Sequence, residues 1–175
     1  MKSKRNLVLL GMMGSGKSTI GYLLSKTLKI EFNDVDEIIE KEEGCKISEI
    51  FEKKGEKFFR LMEEKEVLKS LKKSNCVIAL GGGAFMNKIV RDKILKNSVS
   101  IWLDLNLKTL SKRTKWHNKR PLLDGKNNQL KINKLYTERR NIYKLAKYRI
   151  NCNNLSKKSI TKQIIIFYEK HSINC

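Results

Sequence analysis

Five short runs rich in aliphatic residues recur along the chain, at Asn6–Leu10, Glu31–Asp34, Cys76–Leu80, Val99–Leu103 and Tyr148–Asn151. Each has the length of a β-strand. Between them lie longer stretches whose apolar positions return every three or four residues, the period of a helix with one buried face. That period predicts helices at Lys17–Leu28, Val35–Glu42, Ile47–Lys53, Lys57–Lys72, Lys88–Leu95, Lys108–Lys115, Leu130–Ala146 and Lys157–Glu169. Regular alternation of this kind predicts an α/β domain around a parallel sheet. No internal repeat and no Pro/Ser-rich linker divides the chain, so residues 1–175 are read as one domain. One stretch has little periodicity. Trp116 to Asn128 carries His, Asn, Lys, Arg, Pro, Asp and Gly, and a long polar loop inside a compact domain predicts a mobile lid, here about 114–128.

Composition narrows the class without changing the fold. Hydrophobic residues make up 40% of the chain and charged ones 32%, a globular mix. No apolar run approaches the roughly 18 residues of a membrane span. Met1 to Arg5 followed by Leu7–Leu10 faintly imitates a signal peptide, but the stretch runs straight into Gly-Ser-Gly-Lys with no A-x-A-like site after it. The cytoplasm is the expected location. Cys45, Cys76, Cys152 and Cys175 are scattered, with no C-x-x-C pair, and His117 and His171 complete no zinc pattern. Four reduced thiols and no metal cluster are expected. The net charge of +20 raises nucleic acid as a partner, yet the lysines are spread evenly and form no tract with interleaved aromatics. Neither a nucleic-acid nor a membrane partner is expected. A positive field of this sign also draws in anionic small molecules.

The strongest chemical signal is Gly11-Met12-Met13-Gly14-Ser15-Gly16-Lys17-Ser18, which fits G-x-x-x-x-G-K-[ST] directly after one predicted strand and directly before one helix. Glycines let successive N–H groups turn inward at a helix N-terminus, forming a nest for anions. Lys17 then reaches the β- and γ-phosphates of a nucleotide, and the Ser18 hydroxyl joins a Mg²⁺ shell. GTPases share the loop, but no N-K-x-D or D-x-x-G sequence follows, and the chain is short for a motor. A small-molecule kinase leads the remaining classes.

Three further segments suit a phosphoryl acceptor. Asn33-Asp34-Val35-Asp36 ends the second predicted strand with two carboxylates at i and i+2, which share one side of an extended segment. If that strand neighbours the first, both face the phosphates: Asp34 toward a magnesium water, Asp36 toward the proton of the attacking hydroxyl. Helix capping is the competing explanation. Glu56, Arg60 and Glu63 share one helical face, either as a surface ion-pair ladder or as an arginine fork aimed at a carboxylate and held by Glu63. Gly81-Gly82-Gly83 follow a buried strand, where the absence of side chains suits close approach to the backbone.

Taken in order, these segments resemble the shikimate kinase family. The resemblance runs from residue 6 to about 150 and rests on GMMGSGKST, DVD, IFEKKGEKFFRLME, GGGA, RPLL and ERRNIYKLA. It implies a doubly wound P-loop NTPase-type fold like that of nucleoside-monophosphate kinases. Its sheet would be parallel and five-stranded, in the order 2-3-1-4-5, with substrate helices at about 35–72 and a closing lid. It implies transfer of the ATP γ-phosphoryl group to the 3-hydroxyl of shikimate, with Mg²⁺. A monomer is expected because nothing in the sequence marks a large exposed apolar interface. By motif position, Gly14, Ser15, Gly16, Lys17, Ser18 and Thr19 bind the nucleotide, Arg113 stacks over adenine, and Arg120 in the lid bridges the phosphates. Asp36 binds shikimate and acts as base beside Lys17 and Arg120, while Ser18 and Asp34 hold the metal. Arg60 and Arg139 grip the carboxylate with the backbone of Gly81, Gly82 and Gly83, and Phe51 and Phe59 form an apolar wall. The family often has R-x-P-L-Y where this chain has Arg139-Arg140-Asn141-Ile142-Tyr143, and the distance to Tyr143 favours Arg139 over Arg140 as the substrate arginine. The turn Asn151 to Ser156 matches no adenine-binding pattern. Rival readings are a gluconate-type or nucleoside-monophosphate-type kinase, or a nucleotide-binding module without catalysis.

Overall fold

The computed structural model describes residues 5–115 and 128–172. Its strands are β1 (Asn6–Leu10), β2 (Glu31–Asp34), β3 (Cys76–Ala79), β4 (Ser98–Asp104) and β5 (Tyr148–Asn151). They form one parallel sheet in the order β2-β3-β1-β4-β5. The helices are α1 (Lys17–Leu28), α2 (Val35–Glu43), α3 (Ile47–Lys72), α4 (Lys88–Asn97), α5 (Leu107–Lys115), α6 (Asn128–Tyr143) and α7 (Lys157–Ser172). Central strands β1, β3 and β4 are buried along their whole length, which is why they read as continuous apolar runs. Helix α1 packs on β2, β3 and α7, while α4 packs on β4 and α3. Among the described residues, no helix is long and apolar enough to cross a membrane.

The order of the strands corrects one step of the sequence argument. The second strand does not neighbour the first, because β3 lies between them: Asp34 pairs with Ala79, and Ala79 with Leu9. Asp34 therefore sits two strand spacings, roughly 10 Å, from β1. The extended D-x-D geometry is corrected as well. Asp34 ends β2 and caps α2, its Oδ1 accepting from the N–H groups of Asp36 (3.2 Å) and Glu37 (3.4 Å), so Asp36 already belongs to a helix.

Polar residues extend β4 beyond its predicted apolar run. Ser98 pairs in register with Asn6, and Asp104 pairs with Asn151. Asp104 also receives Arg149 Nε at 2.8 Å and Nη2 at 2.6 Å, tying the carboxyl ends of β4 and β5 together. The guanidinium lies 5.0 Å from the centroid of the Trp102 ring.

The two helices expected at 47–53 and 57–72 form one element with a break at Gly55, whose φ of 80° and ψ of 166° are not helical. This region of backbone space belongs essentially to glycine. The break lets α3 change direction before the segment that carries Arg60 and Glu63. Gly55→Ala is predicted to destabilise the fold by about 1–3 kcal/mol, although nothing lies within 4 Å of the added carbon. Thermal melts check this. A melting temperature equal to that of the parent would show that α3 does not need the glycine.

Candidate active site

At the carboxyl end of β1 the chain curls through Gly11, Gly14 and Gly16, with φ of 143°, 77° and 95°. The Ser15 N–H donates to Met12 O at 3.1 Å and closes the loop, and Gly16 begins α1 with no side-chain cap. The first turn of α1 therefore presents its N–H groups and the positive end of its dipole to whatever anion the loop holds. Lys17 Nζ lies along the loop, donating to Gly11 O (3.0 Å) and Met12 O (3.1 Å). Ser18 and Thr19 are exposed on the first turn. Arg113 reaches back from α5, its Nη1 donating to Gly14 O at 3.2 Å, so this arginine sits against the phosphate loop.

The triple glycine after β3 is the point where the other segments meet. A Cβ on Gly81 would collide with Glu63 Oε1 and stand 2.7 Å from Asp36 Oδ1. On Gly82 it would stand 3.2 Å from Arg139 Nη1 and 3.5 Å from the Met13 backbone nitrogen. On Gly83 it would lie 2.5 Å from Arg60 Nη1 and 2.8 Å from both Cζ and Nη2. The three glycines thus bring together Asp36, Glu63, Arg139, Arg60 and the phosphate loop, from four separate elements. Space, not a left-handed backbone, is what these positions require.

Hydrogen bonding gives the run a polarity. Gly81 O accepts from the Ala84 N–H (3.2 Å) and Gly83 O from the Met86 N–H (2.9 Å). Gly82 O accepts from Arg139 Nη1 at 3.0 Å and from the Tyr143 hydroxyl. The three N–H groups donate to no other described residue. The acceptors of the run are therefore occupied within the protein.

Arg60 is fixed from several sides. Its Nη1 donates to Glu63 Oε2 at 2.6 Å, its Nη2 and Nε to Glu56 Oε1 at 3.0 and 3.2 Å, and its Cζ lies 5.2 Å from the Phe59 ring centroid. The rings of Phe51 and Phe59 pack at 4.9 Å between centroids. Burial alone would lower the pKa of Arg60, but its carboxylate partners outweigh that and raise it, so the cation persists. Burial pushes the Glu63 carboxyl up, opposed by the charge and hydrogen bond of Arg60 and then by the charge of Arg139.

Arg139 is 6% exposed and lines the site. Arg140 lies 5.7 Å from the Tyr136 ring centroid and is absent from the cleft lining. A cleft of about 500 Å³ opens beside these groups, lined among others by Arg60, Glu63, Gly83, Met86, Leu135 and Arg139. Asp34 Oδ2 is buried and has no hydrogen-bond partner among the described residues, which suits an oxygen that accepts from a metal-bound water. With the exposed Ser18 hydroxyl, it fits a hard cation such as Mg²⁺. Arg120, His117 and nearly all of the expected lid lie outside the described residues.

Sequence reasoning missed Tyr143 as a site residue and did not see Glu63 and Asp36 meeting over Gly81. The spacing of Tyr143, four residues after Arg139 on one face of α6, was the available signal. The Glu63–Asp36 proximity depends on how α2 and α3 pack and has no local signature.

A parallel sheet in the order 2-3-1-4-5, carrying a glycine-rich phosphate loop between β1 and α1, defines a P-loop kinase. The family model for shikimate kinase matches residues 13–169. A shikimate kinase of Persephonella marina is 42% identical over 92% of this chain and 97% of its own length, and one of Sulfurihydrogenibium sp. is 40% identical over 92% and 96%. The structure of a shikimate kinase from Acinetobacter baumannii in complex with shikimate superposes with a TM-score of 0.91, at 31% identity, over 95% of this chain and 94% of that one. The chain belongs to the shikimate kinase family, and it is an ATP-dependent phosphotransferase.

The contacts of Gly83 and Gly82 predict different tolerances. Gly83→Ala has to displace the anchored guanidinium of Arg60 and should cost about 1–3 kcal/mol, as overpacking does. Gly82→Ala, whose added carbon meets its nearest neighbour at 3.2 Å, should cost less. Denaturant unfolding of both variants decides this, and the reverse order would mean that the guanidinium does not lie over Gly83.

Proposed function

We propose that this chain transfers the γ-phosphoryl group of ATP to the 3-hydroxyl of shikimate, giving shikimate 3-phosphate and ADP. The observation that carries the reading is the convergence of Asp36, Arg60 and Arg139 on one glycine run that lies beside the phosphate loop. A carboxylated polyol needs these groups: arginine forks for its carboxylate, backbone donors and an acid for its hydroxyls.

In this reading, Gly14, Ser15, Gly16, Lys17, Ser18 and Thr19 hold the phosphates, and Arg113 lies over the adenine side of the loop. Ser18 and Asp34 would hold Mg²⁺, which would supply neutralisation of the charge on the phosphates. Arg60 and Arg139 take the acceptor carboxylate against the wall of Phe51 and Phe59. The hydroxyl is thereby held in line with the γ-phosphate, and this positioning is the larger part of phosphoryl-transfer catalysis. Asp36 accepts the hydroxyl proton, while Lys17 and Arg120 balance the developing charge. Arg60 works as a pre-set fork because Glu63 and Glu56 hold it before any acceptor arrives.

ADP release measured over a panel of shikimate, gluconate and nucleoside monophosphates tests the reading. Turnover confined to shikimate is expected, and turnover of another acceptor in preference to it would refute the assignment. Asp36→Asn is predicted to lower kcat by about 10²–10⁴-fold, the usual worth of a general base. Turnover near that of the parent would take Asp36 out of this role. Arg60→Ala is predicted to raise the KM for shikimate with little change in ATP affinity. Loss of ATP binding in that variant would show that the carboxylate assignment is wrong.

A further inference from the structure

We propose that Tyr143 is a positioning residue for the acceptor: its hydroxyl locks the Gly82–Gly83 peptide so that the Gly83 N–H stays turned toward the ligand. The inference rests on the reading that shikimate binds at the glycine run.

A peptide between two glycines has little steric resistance to flipping, since neither neighbour carries a Cβ. Yet the direction of this peptide decides whether the run offers a donor or an acceptor to the ligand. The trans peptide is planar, so fixing the carbonyl of Gly82 also fixes the N–H of Gly83 on the opposite side. A carbonyl oxygen has two lone pairs. At Gly82, Arg139 Nη1 takes one at 3.0 Å and the Tyr143 hydroxyl takes the other.

The two donors differ in how permanent they are. Arg139 is the group expected to turn toward the acceptor carboxylate, and its hold on the carbonyl then weakens. Tyr143 has no such second task. Its side chain is 1% exposed, and its ring packs 6.0 Å from that of Trp102. Burial raises its phenol to about 12, so it remains a protonated donor across the neutral range. Its hydroxyl also lies 4.0 Å from Met12 Sδ in the phosphate loop. The same ring thus stands where the nucleotide half and the acceptor half of the site touch.

Tyr168 provides a matched control. It too is buried, its phenol is raised to about 12 by burial, and its hydroxyl donates to a backbone carbonyl, Arg5 O, at 2.8 Å. That carbonyl immediately precedes β1, at the end of the sheet away from the phosphate loop. Tyr143→Phe and Tyr168→Phe each delete one buried hydroxyl, and comparable losses of thermal stability are expected. In Tyr143→Phe the KM for shikimate should rise about three- to tenfold, matching one lost hydrogen bond, with the KM for ATP within about twofold of the parent by that same reasoning. In Tyr168→Phe both constants should stay within that margin. Tyr143→Phe with an unchanged shikimate KM, or with both KM values raised together, would overturn the proposal. Failure of the parent chain to turn over shikimate would instead strike the underlying reading. Should Tyr143→Phe not fold, proton NMR of the parent decides. The Tyr143 hydroxyl proton should exchange slowly with and without shikimate, and its loss on shikimate binding would overturn the proposal.

Discussion

Several charged side chains can close on a backbone only where that backbone carries no side chains of its own. Gly81–Gly83 meets this constraint at the carboxyl end of a central strand, and the rest of the site is arranged around it. Helix α2 contributes Asp36, α3 contributes Arg60 and Glu63, α6 contributes Arg139 and Tyr143, and the loop before α1 lies against Gly82. One β-carbon at Gly81 or Gly83 would meet a charged group within 3 Å. The packing of the helices and the spacing of the functional groups are therefore set by the same three positions.

The electrostatics follow from this crowding. Bringing two arginines and two carboxylates into one partly buried region works only when each charge has a partner, since an isolated buried ion is far costlier than a paired one. Glu63 satisfies Arg60, and Arg139 is satisfied by a backbone carbonyl. Arg60 is thus held in place before any ligand arrives. An incoming carboxylate meets a cation whose position costs little further entropy to fix, which is how preorganisation raises affinity. The net charge of +20 adds a general attraction for anions, but selection among them belongs to this local geometry.

Much of this architecture is legible in the sequence because it is local. Apolar runs and helical periods placed the strands and helices to within a few residues, and the G-x-x-x-x-G-K-S loop declared its own strand–loop–helix context. Gly55 marked the break in α3. Long-range facts were not legible from residues alone. The insertion of β3 between β1 and β2 sets the Asp34 end of β2 two strand spacings from β1, and nothing within Asn33–Asp36 reports it. The pairing of Arg149 with Asp104, and the meeting of Glu63 with Asp36 over Gly81, join residues far apart in the chain whose individual patterns look like surface charge. Tyr143 served in the sequence only to mark the distance to Arg139, because its contact with the Gly82 carbonyl joins residues 61 positions apart.

A crystal structure of this chain with shikimate and a non-hydrolysable ATP analogue tests the central claim most directly. The account predicts the shikimate carboxylate on the guanidinium groups of Arg60 and Arg139, its ring over Gly81–Gly83, and one hydroxyl within hydrogen-bond distance of Asp36. A shikimate bound away from the glycine run, or with its carboxylate turned from both arginines, would contradict it.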